Sequence, residues 1–281
     1  MSARRRGRSD GGLSPLRRVL TMALGAVAVL GVAVGLLVLW ALWTYQGPGP
    51  GAKAGASTTV ILRQGAGLGE IASTLRRAGV IRSSEVFVTA AQVTGATRRL
   101  KAGEYAFPSR ASMASVLDKI RSGLIVHHYV TVPEGVTSEM VTDILMKADF
   151  LTGAAPVAPE GSVLPETYEA RRGEDRSAVL QRMMDSRDRL LATLWDRRRA
   201  NLPYQTPDQA VILASIVEKE TAKPDERPRI AAVFVNRLAK GMRLESDPTI
   251  IYGLTHGRPL GHSIRLSEVT SQTPYNTYLI S

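Results

Sequence analysis

The chain has 281 residues, 44% hydrophobic and 22% charged, with no cysteine and a formal net charge of +11. It is too apolar for a disordered chain and long enough for one or two domains with a sizeable core. The missing cysteines exclude a disulfide framework, a thiol nucleophile and thiolate metal sites. The four histidines, His127, His128, His256 and His262, lack the i, i+4 spacing of a helical zinc pair, so no metal or other cofactor is expected.

The charge is unevenly placed. The first 18 residues hold +5, from Arg4, Arg5, Arg6, Arg8, Arg17 and Arg18 against Asp10, which leaves +6 scattered among acidic residues over the rest of the chain. No aromatic-interleaved basic strand or recognition-helix motif accompanies it, so nucleic acid is not an expected partner. From Val19 to Trp43 no residue is charged. Roughly 20 apolar residues cross a bilayer, and this run exceeds the apolar core of a cleaved signal peptide, about 7 to 15 residues. The arginines before it, with no basic residue after it until Lys53, place residues 1–18 in the cytoplasm and everything after Tyr45 on the far side. Trp40, Trp43 and Tyr45 fall where an outer aromatic belt would lie.

Residues 44–56 are rich in Gly and Pro and predict a linker between the anchor and the folded part. Thr58–Leu62 reads as a strand, Gly65 and Gly67 as a turn, and Leu68 to Ala78 as a helix. A weak repeat of this unit returns seventy positions on, as Tyr129–Val132, Gly135 and a helix through Val141, Leu145 and Ala148. Between the copies lie a helix at Glu85–Thr94, a strand at Gly103–Phe107 and a helix at Met113–Ile120. Ala154–Pro165 breaks the pattern and sets a domain boundary between 57–153 and 154–281. A helical tract from Ser177 to about Ala200 then carries Val179, Leu180, Met183, Met184, Leu190, Leu191 and Leu194 as a core stripe.

The chemistry sits beyond that tract. Pro207 and Asp208 suit a helix start, and a nearly all-apolar run to Val217 ends abruptly in Glu218-Lys219-Glu220-Thr221. At about 100° per residue the two glutamates point about 200° apart, so one faces a given cleft. Glu220 shares its side with Leu213, Ile216 and Val217, and Glu218 with Val211, Ala214 and Ser215. A carboxyl among large apolar residues is desolvated and keeps its proton, as a general acid must. Glu220 is therefore the candidate catalytic group, against a reading in which both glutamates decorate a helix end.

Six further motifs decide between these readings: Ala214-Ser-Ile-Val-Glu-Lys-Glu-Thr221, Val235-Asn-Arg-Leu238, Gly241-Met-Arg-Leu244, Ser246-Asp-Pro-Thr249, Ile251-Tyr-Gly253 and Pro274-Tyr-Asn-Thr-Tyr278. Together with Pro133-Glu-Gly135 and Pro165-Glu-Thr-Tyr168, they resemble the YceG-like family of endolytic murein transglycosylases over essentially the whole chain. The resemblance implies an α+β protein: a single transmembrane helix at 19–43, a LysM-like module at 57–153 and a catalytic domain at 154–281. It implies a single-pass inner-membrane enzyme with a periplasmic catalytic domain, cutting peptidoglycan strands to 1,6-anhydro ends as a chain terminator beside peptidoglycan synthases. Glu220 would be the acid and base, with Glu218 in reserve. Glu218, Asn236, Asp247, Tyr252, Tyr275, Asn276 and Tyr278 would hold sugar or serve as structural polar caps, Asp247 capping a turn or helix, and Arg237 and Arg243 would meet substrate carboxylates or stand as ordinary helix-end arginines. Family members continue past the final Ser281, so the catalytic domain reads as truncated. The alternative from another class is a tethered peptidoglycan-binding scaffold with inert glutamates.

Overall fold

The computed structural model describes residues 15–280, so most of the basic tail read at 1–18 lies outside the described residues. Helix α1 (Pro15–Gln46) has 32 residues, a length of about 48 Å at 1.5 Å per residue. Its segment Val19–Gln46 has mean hydropathy 2.7. The side chains are exposed on every face from Val19 to Trp40, so this apolar helix has no protein core to enter and suits a bilayer.

The chain divides into two compact units after Val126. In the first, β1 (Ser57–Leu62) pairs antiparallel with β2 (Gly103–Pro108), Val60 opposite Tyr105. Helices α2 (Leu68–Arg77), α3 (Ser84–Val93) and α4 (Met113–Ser122) complete it. Every second strand residue turns inward with the apolar stripes of the helices, so Val60, Leu62, Leu75, Phe87, Phe107, Val116 and Ile120 form one core. Ser83 and Ser112 accept from the Val86 and Ser115 amides to start α3 and α4.

The stretch read as a linker behaves differently from a free spacer. Residues 47–56 form no helix or strand, as their composition requires, yet they are strapped onto the first unit. The Gly49 amide donates to the Arg110 carbonyl at 3.1 Å, Arg110 returns a bond to Pro50 at 3.1 Å, and Ser109 donates to Ala56 at 2.8 Å. Arg82 donates to the Pro48 carbonyl at 3.1 Å and lies 5.3 Å from the Trp43 ring, while Tyr45 packs on the core. Glycine is required at 49, where a Cβ would collide with the Ala111 carbonyl oxygen. Backbone pairing, which composition cannot reveal, converts the spacer into a rigid attachment of α1.

The second unit opens with the repeat expected from the sequence. Strand β3 (His128–Thr131) and helix α5 (Ser138–Lys147) flank Gly135, which has φ 73°. β3 pairs antiparallel with β4 (Thr167–Ala170), Val130 opposite Tyr168. Because β4 lies beyond the Pro/Gly-rich segment, residues on both sides of that segment belong to this second unit. Leu145, Val179 and Met183 share a core across it, and Arg176 donates to the carbonyls of Leu145 at 2.8 Å and Ala148 at 2.9 Å at the end of α5. Helix α6 (Arg176–Asp196) buries the first half of its stripe, Val179, Leu180 and Met183, whereas Leu190 and Leu194 are exposed. Helices α7 (Pro207–Glu220), α8 (Arg227–Ala239), α9 (Asp247–Thr255) and α10 (Leu266–Val269) follow. Leu213, Ile216, Val217 and Phe234 make the core between α7 and α8.

Candidate active site

Helix α7 starts where its sequence says it should. Thr206 accepts from the Gln209 amide, Gln209 reaches back to the Thr206 amide at 3.2 Å, and Pro207 holds the first turn. The helix then projects Glu218 and Glu220 at its far end. Leu213, Ile216 and Val217 are buried as the face argument requires, but Glu220 itself is exposed. The apolar face stops one turn before Glu220, so the expected desolvation of this carboxyl is not what holds it. Glu218 is the more enclosed carboxylate, its side chain 25% exposed.

Hydrogen bonds give the two glutamates different work. Glu218 Oε1 lies 2.7 Å from Arg227 Nη2, and the same nitrogen is 3.1 Å from Glu134 in the Pro133-Glu134-Gly135 turn. Gly135 lies against the end of α7, where a Cβ would come within 3.3 Å of the Lys219 side chain. Arg227 therefore clips the turn after β3 to the end of α7, and Glu218 is part of that clip. Glu220 Oε1 instead accepts a hydrogen bond from Ser246 Oγ, and Oε2 has no donor among the described residues.

Ser246 is 1% exposed and sits in a polar knot. Its amide donates to Thr277 Oγ1 at 2.9 Å, its carbonyl accepts from Thr249 Oγ1 at 2.7 Å, and the two threonine hydroxyls meet at 2.9 Å. The chain segments 246–249 and 276–278 are thereby fixed to each other beside Glu220.

The remaining expected site residues fall into two groups. Tyr278 donates to Asp247 Oδ1 at 2.7 Å, and that bond to a carboxylate, with burial second, pushes the phenol up to about 12. Tyr252 is also pushed up to about 12, first by burial and then by the charge of Glu160, whose carboxylate accepts from the Ser138 amide at 3.1 Å at the start of α5. Tyr275 meets Tyr252 edge-on, ring centres 4.8 Å apart, and is itself 44% exposed. Asn236 lies exposed on α8.

Asn276, expected to hold sugar, is fully buried: its amide nitrogen donates to the Val269 and Ser271 carbonyls at 2.8 Å and its oxygen accepts from the Tyr278 amide at 3.0 Å. It shapes the chain beneath the site and has no face left for a ligand. Arg237 donates to the Arg243 carbonyl at 2.6 Å and pairs with Glu245, while Arg243 donates to the Tyr278 carbonyl at 2.9 Å. Both arginines thus brace the chain around Tyr278. Among the described residues no three His, Asp or Glu side chains converge as metal ligands do.

Ser246, Arg227 and Glu134 escaped the sequence reading as working residues. Ser before Asp-Pro has the composition of a helix cap, which conceals a hydroxyl aimed elsewhere. The partners of Arg227 lie 9 and 93 residues away, beyond any local pattern.

The sequence profile of the YceG-like family matches residues 60–281. An endolytic murein transglycosylase of Streptococcus pneumoniae serotype 2 (strain D39 / NCTC 7466) is 28% identical over 269 residues, covering 78% of this chain and 48% of the relative. Another, from Bacillus subtilis (strain 168), is 23% identical over 258 residues, covering 79% and 70%. The chain spans about half the length of the pneumococcal relative. Among solved structures, a yceG-like protein from Listeria monocytogenes is similar, with 23% identity, a TM-score of 0.45, and coverage of 80% of this chain and 83% of that one. The profile takes in well over half of the residues, and the chain belongs to the YceG-like family.

Proposed function

We propose that the chain is a membrane-anchored lytic transglycosylase cutting the β-1,4 bond between N-acetylmuramic acid and N-acetylglucosamine within peptidoglycan strands. The observation that carries this reading is Glu220, presented at the end of α7 with one oxygen held by Ser246 and the other without a donor among the described residues. Of the neighbouring carboxylates, Glu218 is paired with Arg227, and Asp247 accepts at Oδ1 from Tyr278. A glycosidase that uses water needs two working carboxylates, one for the leaving oxygen and one for water or the sugar. A lytic transglycosylase needs one, because the nucleophile is the C6 hydroxyl of the same muramic acid, already tethered near C1.

In this mechanism Glu220 gives its proton to the glycosidic oxygen as the bond to C1 breaks. The C6 hydroxyl bonds to C1 and returns its proton to Glu220. The products are a 1,6-anhydro end and a new N-acetylglucosamine 4-hydroxyl. Tyr252 and Tyr275 offer a wall for sugar rings, and Asp247, Tyr278 and Asn236 offer hydrogen-bonding groups. Glu218, proposed from the sequence as a substrate contact, acts here through the Arg227 clip.

Helix α1 anchors the chain with its N-terminus in the cytoplasm, so the folded units face the wall side of the inner membrane. The LysM-like module read at 57–153 serves in glycan binding. Family membership supports action on nascent strands beside peptidoglycan synthases, ending their growth. Mass spectrometry of products from uncrosslinked glycan strands tests the activity. The chain yields anhydro-muropeptides, Glu220→Gln yields none, and Glu218→Gln keeps most of the yield. Reducing muramic acid ends would favour a hydrolase, and strand capture without any product would favour a scaffold.

A further inference from the structure

A helix-capping serine that does not cap its helix needs another explanation. Ser246 stands at the N-cap of α9 with extended backbone (φ −106°, ψ 119°), yet its side chain makes no cap hydrogen bond. The hydroxyl is turned away from the α9 amides and donates to Glu220 Oε1. Its backbone is held independently, by Thr277 Oγ1 on the amide and Thr249 Oγ1 on the carbonyl. The residue is 1% exposed, so the hydroxyl cannot rotate out to water without leaving that bond.

From this geometry we infer that Ser246 is a positioning residue that divides the labour of the two Glu220 oxygens. The inference rests on Glu220 being the acid and base. With Oε1 occupied as an acceptor from Ser246, Oε2 is the oxygen that carries the catalytic proton. It delivers that proton to the glycosidic oxygen as the C1–O bond breaks and takes the C6 hydroxyl proton as the new C6–O–C1 bond forms. The glutamate side chain has three rotatable bonds and stands exposed at a helix end, where apolar neighbours do not lock it. The Ser246 hydroxyl is the one donor among the described residues that restricts it. The Thr249–Thr277 knot acts at one remove, by fixing where that hydroxyl points. This also explains why the segments 246–249 and 276–278 meet beside α7: their contact builds the support for one carboxylate oxygen.

The test uses the full chain in detergent micelles, as Ser246→Ala, Ser246→Thr and the unmutated protein, with uncrosslinked glycan strands as substrate. Loss of a hydrogen bond to a carboxylate that positions the reacting group is expected to lower kcat about tenfold with KM within about twofold. Thermal unfolding of Ser246→Ala should fall by less than about 10 °C, because the one bond lost runs to an exposed carboxylate and no cap bond is removed, and Ser246→Thr should recover kcat. An alanine variant with unchanged kcat overturns the inference. So does one whose unfolding temperature falls by more than about 10 °C together with kcat, or a threonine variant as slow as the alanine. A second readout needs no activity. In chain labelled with 13C at glutamate Cδ, the resonance lost in Glu220→Gln should move in Ser246→Ala, and a resonance that stays put overturns the inference. If the unmutated chain cuts nothing while that resonance moves, the transglycosylase reading fails and the positioning bond stands.

Discussion

Replacing Arg227 with methionine isolates the clip that holds the end of α7. The substitution keeps most of the side-chain volume and removes the guanidinium, which contacts Glu218 at 2.7 Å and Glu134 at 3.1 Å. The two contacts are unequal. Glu134 is 61% exposed, so its share is about 0–1 kcal/mol. Glu218 and Arg227 are 25% and 28% exposed, and a charge-assisted bond in that setting is worth about 1.5–3 kcal/mol. The variant should therefore lose about 2–3 kcal/mol, a fall in unfolding temperature on the order of 5–10 °C for a unit of this size. Most of that loss comes from leaving Glu218 half-buried without its cation, so Arg227→Met combined with Glu218→Gln should recover part of it. Urea unfolding of the four proteins in the cycle measures a coupling of at least about 1 kcal/mol. Additive losses, or an Arg227→Met cost below about 0.5 kcal/mol, would refute the clip and return Glu218 to the list of free carboxylates.

Gly49→Ala should break the strap between α1 and the first unit, since the new methyl group meets the Ala111 carbonyl; faster amide exchange at Gly49 and Arg110 is the readout, and unchanged exchange would show the strap is not rigid. Asp247→Asn removes the carboxylate that pushes Tyr278 up to about 12, so the phenol should titrate closer to about 10, as followed by NMR of labelled tyrosine. Tyr252 and Tyr278 both release their protons later in the folded chain than unfolded, so their contribution is intact below about pH 10 and is lost as pH rises toward about 12. Unfolding measured across that window should show stability falling with pH, less steeply in Tyr252→Phe.

Local pattern carried much of this protein. Periodicity located β1, β2, α2 through α5 and α7 to within a few residues of their observed ends, because each follows from alternation or helical spacing plus a nearby Gly, Ser or Thr. The apolar stretch of α1 was legible from charge-free length alone. Glu220 was placed at a helix end by spacing and singled out by resemblance, yet the reason first offered, burial on an apolar face, was wrong in kind. The helix wheel knows which residues share a side and does not know where the core stops.

What the sequence by itself determined was the extent of β1, β2, α2 through α5 and α7, and the long apolar helix near the N-terminus. Tertiary structure decided how they are used. It made residues 47–56 a strap, put the break between units at Val126, sank Asn276 beneath the site and joined Glu218 to Arg227 and Glu220 to Ser246. Most of these depend on contacts between groups that are not neighbours in any local pattern, up to 93 residues apart for Glu134 and Arg227, and the sequence alone does not encode which donor a carboxylate will meet.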